Sequence, residues 1–109
     1  MALQWNAVAT GNRLETAARA RHALGAAGAW ILDHHTFSNL SLSISFEIQP
    51  AALPQLIDEL DDAGISLTRS SRAQPAEPDP ETGLAPASLQ ITFIHDEPDL
   101  RDVVRAVPG

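Results

Sequence analysis

The side chains with the most obvious chemical potential fall in one short stretch, Asp33-His34-His35-Thr36-Phe37-Ser38. Imidazole beside carboxylate suggests a metal site or proton transfer. In a strand, however, His34 and His35 point to opposite faces, so only Asp33 and His35 share a side. A third ligand would have to come from His95, which nothing in the sequence draws near, and His22 reads as a solvated helix position. Ser38, His34 and Asp33 are the residue types of a nucleophilic triad. Yet no Gly-x-Ser-x-Gly turn is present, and adjacency in sequence is not triad geometry. The carboxylates Asp58, Glu59, Asp61 and Asp62 surround an apolar stripe at Leu56, Ile57 and Leu60, which puts them on the solvated side of a helix. Gly25-Ala26-Ala27-Gly28 ends a helix instead of opening one, so it makes no phosphate cradle. No cysteine is available as nucleophile or thiolate ligand. The expectation is a protein without catalytic residues, metal or cofactor, and not an enzyme.

The chain that must position these groups has 109 residues, enough for one domain spanning 1–109. Its apolar fraction is 44 %, and no apolar run approaches the roughly 20 residues of a membrane span. Residues 1–10 lack the basic start and apolar stretch of an export signal, so a cytoplasmic location is expected. Seven basic residues, all arginine, face 14 acidic ones for a net charge of −7. Such a field repels phosphate backbones and anionic lipid, which argues against nucleic-acid and membrane partners.

Residues 3–9 alternate, with Leu3 and Trp5 on one side, and run into Thr10-Gly11-Asn12, which predicts a strand and a turn. Arg13 to Ala27 reads as a helix with Leu14, Ala17, Ala20 or Arg21, and Leu24 on one face, Asn12 as N-cap and Gly28 as its stop. Trp30 to Thr36 predicts a second strand. Leu42, Ile44, Phe46 and Ile48 then alternate with serines and Glu47, a period of two that makes 40–49 a third strand. The short connection through Phe37-Ser38-Asn39 joins the two as a hairpin. The small hydroxyls of Ser41, Ser43 and Ser45 leave one sheet face either solvated or flat enough for a partner chain.

After Pro50, the spacing of Leu53, Leu56, Ile57 and Leu60 up to Gly64 predicts a second amphipathic helix, with 65–69 a returning strand. The proline-rich segment 70–87 has no periodicity and reads as a mobile loop. Ser88 to His95 alternates again and is expected to pair antiparallel with 65–69; Asp96 and Pro98 open a short helix over 97–107. The result is an α+β fold of ferredoxin-like βαββαβ type, a two-layer sandwich. Its sheet is antiparallel, with an added C-terminal strand and short helix.

Gly28-Ala29-Trp30-Ile31-Leu32-Asp33, followed by Leu40-Ser41-Leu42-Ser43-Ile44-Ser45-Phe46-Glu47-Ile48, resembles an ACT domain, nearest in style to the regulatory domains of phosphoserine phosphatases. The likeness runs through the leucine-spaced helix to Leu67 and covers about residues 3–69. The resemblance implies a non-catalytic regulatory module, a homodimer through sheet edge or face, and a small carboxylate ligand such as an amino acid. It places that ligand near the turn after the first strand, at Gly11, Asn12, Arg13 and Leu32. Backbone amides at a helix start suit a carboxylate. Members that bind amino acids carry an Asp-Arg-Pro-Gly-like turn there, whereas this chain has Gly11-Asn12-Arg13-Leu14. Arg13 stands where a glycine is expected: either it offers a guanidinium fork, or it fills the space and the site is absent. A ligand-free interaction or accessory subunit is the alternative.

Overall fold

The structure is a computed structural model that describes residues 2–37 and 41–94. The elements run β1 (Leu3–Thr10), α1 (Arg13–Ala26), β2 (Trp30–Phe37), β3 (Ser41–Ile48), a 3₁₀ turn (Pro50–Ala52), α2 (Leu53–Asp62), β4 (Ile65–Leu67), α3 (Arg69–Arg72) and β5 (Ala85–Ile94). The five strands form one sheet in the order β2-β3-β5-β1-β4. The alternation in the sequence becomes a sheet with one dry face. Leu3, Trp5, Leu42, Ile44, Phe46, Leu89 and Ile91 point inward beneath α1 and α2, and Leu24, Leu56 and Leu60 close the core from the helix layer. This is an α+β arrangement compatible with a two-layer sandwich.

Three expectations need correction. The sheet is mixed: β5 pairs parallel with β1 and antiparallel with β3, and it does not pair with β4. The reason is hydrophobic. The five inward residues of β5, Ala85, Ala87, Leu89, Ile91 and Phe93, are all apolar, and the centre of the sheet buries them where an edge would leave one flank open. The loop expected over 70–87 is also shorter at both ends, because Arg69–Arg72 is a helical turn and β5 begins at Ala85. Between them, Asp79 and Gly83 close a tight turn, with the Glu81 amide on the Asp79 carboxylate at 2.7 Å. The helix expected over 97–107 lies outside the described residues.

The buried stripe of α1 differs as well. It consists of Thr16, Ala20, Ala23 and Leu24, while Leu14 is 71 % exposed. The Ala20-Ala23-Leu24-Ala27 spacing is itself a helical i, i+3, i+4, i+7 set, and its small side chains bring the helix close to the sheet. Gly28 ends the helix at φ +80°, where a β-carbon would be strained. The Ala29 amide then reaches Leu24 O (2.9 Å) and the Gly28 amide Gly25 O (3.0 Å), a Schellman closure.

Beyond three-residue β4, the rim of β1 is closed by two side chains and one backbone amide. The Asn6 amide donates to Ser71 Oγ (2.8 Å), and Thr68 N donates to Asn6 O (2.9 Å). The Gln74 carboxamide behaves as a one-residue strand, accepting from Gln4 N (3.0 Å) and donating to Gln4 O (2.7 Å). α3 is held in place by the Arg72 guanidinium, which forks onto the Asp61 carboxylate and also donates to Leu67 O. Ser71→Ala leaves the Asn6 amide unpaired at a part-buried site. It is expected to cost about 1–3 kcal/mol in a urea titration, with α2 and β3 retained in the native spectrum.

Candidate functional site

The turn between β1 and α1 is shaped by its two first residues. Gly11 sits at φ +107°, which a side chain would resist, and lets the strand turn sharply into the helix. Asn12 is the N-cap: its Oδ1 accepts from Leu14 N (2.7 Å) and Glu15 N (3.2 Å). The amides at the start of α1 that a carboxylate would use are therefore already hydrogen-bonded within the chain. Leu32 is the extra residue of a β-bulge in β2, between Ile31 and Asp33, and is 60 % exposed. Of the four residues Gly11, Asn12, Arg13 and Leu32, only Arg13 lines the groove described next.

That groove, about 360 Å³, runs between α1 and the edge strand β2. One wall is the helix stripe Arg13, Leu14, Ala17 and Arg21, and the other is His34 and Thr36, with Leu42 beneath. The strand period places His34 and Thr36 together on the helix side of the sheet, opposite Ile44 and Leu42. Ala17, four residues from each arginine, makes the helix wall concave at its middle. Two guanidinium groups, an imidazole and a hydroxyl thus converge in a protein of net charge −7. Arg21 forms no ion pair among the described residues. These groups supply donors and positive charge, which suits binding an anion. They do not supply a nucleophile held by a base.

On the opposite sheet face Asp33 and His35 do meet. The Asp33 carboxylate takes the His35 imidazole (Nε2 to Oδ2, 2.8 Å) and the His34 backbone amide (Oδ1, 2.8 Å). Both oxygens serve to fix the strand beside its bulge. His95 and Ser38, the further members of the metal set and triad considered above, lie outside the described residues. Among the described residues no three His, Cys, Asp or Glu side chains group as a metal site would require. A second groove of about 540 Å³ lies between α1 and α2, with Arg19 and His22 facing Glu59 and Asp62 over a floor of alanines. Its two signs answer each other across the helix seam, and an entering carboxylate would meet two of its own kind.

The sequence reading missed Arg21, His34, Thr36 and Leu42 as groove residues. The signal was present as an Arg13-Ala17-Arg21 stripe at i, i+4, i+8, but assigning Leu14 to the core turned that stripe partly inward. Compared with known proteins, the chain matches no family model, no curated protein and no solved structure. Among the described residues no helix is long and apolar enough to cross a membrane.

Asn12→Ala removes the cap and is expected to lower stability by about 1 kcal/mol. Thermal melting of the variant measures this. If instead Asn12 serves a ligand and not the helix, the variant will melt with the wild type.

Proposed function

We propose that this protein is a non-catalytic, ACT-like regulatory module that binds a small carboxylate and acts as a homodimer. The observation that carries the reading is the convergence of Arg13, Arg21, His34 and Thr36 on one groove of an otherwise acidic molecule. Its volume lies within the range of small-ligand sites, and Leu14, Ala17 and Leu42 give it the apolar lining that such sites have. The ligand lies along α1 and against β2, one wall further round than the helix-start site that the family likeness implies. Asn12 keeps the amides of the helix start for itself. The succession β1-α1-β2-β3-α2-β4 supports a ferredoxin-like reading, in which β5, lying between β1 and β3, is an addition.

Thermal melting in the presence of amino acids and small organic acids near 1 mM tests this. A ligand with a Kd near 10 µM adds about 2.7 kcal/mol, a shift of roughly 10 °C for a domain this size. Arg21→Gln, at an exposed position, is expected to reduce that shift while leaving the ligand-free melting temperature unchanged. A flat response to every carboxylate would end the sensor reading.

A second reading, a ligand-free interaction subunit, is favoured by a different observation. Trp30, Ile31 and Leu32 are 55, 37 and 60 % exposed at the start of the edge strand, Trp30 opposite Glu47 on the outer sheet face, Ile31 opposite Phe46 on the helix side and Leu32 at the bulge. Beside them the open sheet face presents Ser43, Ser45, Gln90 and Asn6. This apolar corner is also where the homodimer is expected to form. Leu32→Asp should then convert a sedimenting dimer into a monomer without loss of helix signal; a wild-type chain that sediments as a monomer at 100 µM would exclude self-association there.

A further inference from the structure

β2 is an edge strand of the sheet, and every residue from Trp30 to Thr36 is exposed, on the helix side as well as on the open face. None of them enters the core. The way its backbone points is fixed by one contact: the His34 amide donates to the Asp33 carboxylate (2.8 Å) and not to β3, so it points out of the sheet. In an antiparallel pair the outward groups belong to alternate residues, so His34 and Thr36 face the open edge while Asp33 and His35 bond to β3. The Asp33 side chain stands where a neighbouring strand would bring a carbonyl.

Resting on the homodimer reading above, we propose that this neighbour is β2 of a second copy, running antiparallel about a two-fold axis at His34. Outward residues must oppose outward residues, so the axis falls on a residue and few registers are open. An axis at Asp33 sets two carboxylates against each other, and one at His35 sets two imidazoles. An axis at Leu32 or Thr36 leaves Asp33 and His35 without each other. The axis at His34 alone places Asp33 opposite His35 of the partner subunit and His35 opposite Asp33 of the partner subunit, acid facing base twice. Both are non-hydrogen-bonded pairs, in which side chains approach most closely. On β3 the neighbours of this acid and base are Ser45 and Ser43, which add no competing charge. On pairing, the His34 amide passes from the carboxylate to a carbonyl of the partner strand. The within-chain contact of His35 with Asp33, their side chains 64 and 60 % exposed, is exchanged for one across the axis, and an exposed pair of this kind costs little to give up. The new backbone ladder supplies the affinity, and the acid and base choose its register. Leu32 then lies against Thr36 of the partner subunit and loses its exposure to water.

The chain has no cysteine, so a single introduced one reports the register. Opposed α-carbons at the axis are about 5.5 Å apart, within the reach of a disulfide, whereas the two copies of position 36 are about 13 Å apart. In air, His34→Cys should therefore give a disulfide-linked dimer and Thr36→Cys should not. The acid and base are tested by mixing. His35→Glu sets acid against acid and should raise the dimer dissociation constant roughly tenfold or more, and Asp33→Lys with His35→Lys should do the same by setting base against base. An equimolar mixture of these two chains should dimerise as the wild type does, although neither has its own within-chain pair. Any other cross-linking pattern in a chain that sediments as a dimer would overturn the register and leave the homodimer standing, as would a mixture no tighter than its components. A wild-type chain that is monomeric at 100 µM would remove both the inference and the homodimer reading beneath it.

Discussion

The sheet depends on β5. It is the one strand whose two neighbours are β1 on one side and β3 on the other, so the β1-β4 pair and the β2-β3 hairpin belong to a single sheet only through its hydrogen bonds. Its inward residues Ala85, Ala87, Leu89, Ile91 and Phe93 are all buried, and they fill the middle of the core that α1 and α2 cover. Every other element packs on, or pairs with, a surface that β5 completes. Pro86 is tolerated because it stands at the start of the strand, one residue before the register with β1 begins at Leu3 and Ala87.

The two rims of this sheet are treated differently. On the β4 side, β1 backbone groups that a longer strand would have satisfied are taken by Thr68, Ser71 and Gln74, and the edge strand itself is only three residues long. The β2 side keeps an eight-residue strand at the rim, interrupted by the bulge at Leu32 and by the Asp33 carboxylate folded onto the next amide. The same strand forms one wall of the arginine groove. A partner on β2 and a ligand against His34 and Thr36 would therefore act on one element, a short physical path between the proposed site and the proposed interface.

Much of the secondary structure was legible because strand and helix periods are local properties. The alternation in 41–48, the stripe of Leu56 and Leu60, the Asn12 cap and the glycine stop at Gly28 all follow from side chains a few residues apart. Sheet order was not legible, since the apolar alternation of Leu89, Ile91 and Phe93 says that a strand is half-buried without saying beside which strand. α3 was hidden because its four residues, Arg-Ser-Ser-Arg, have no apolar pattern; it is held by the Thr68 cap and by Arg72 on Asp61. The groove was half legible. Arg13 stood out as an arginine in place of a glycine, whereas His34 and Thr36 joined it only once α1 had settled on its alanine face.

The parallel ladder from Leu3 opposite Ala87 to Thr10 opposite Ile94 joins the two ends of the described chain. A ribosome therefore releases β1, both main helices and the β2-β3 hairpin before the strand that unites them exists. Until β5 emerges, the apolar faces of β1 and β3 have only the helices as cover, and closing so long a loop is slow compared with forming local turns. The two halves thus become one body only once the segment carrying Leu89 and Ile91 has been made and takes its place between them.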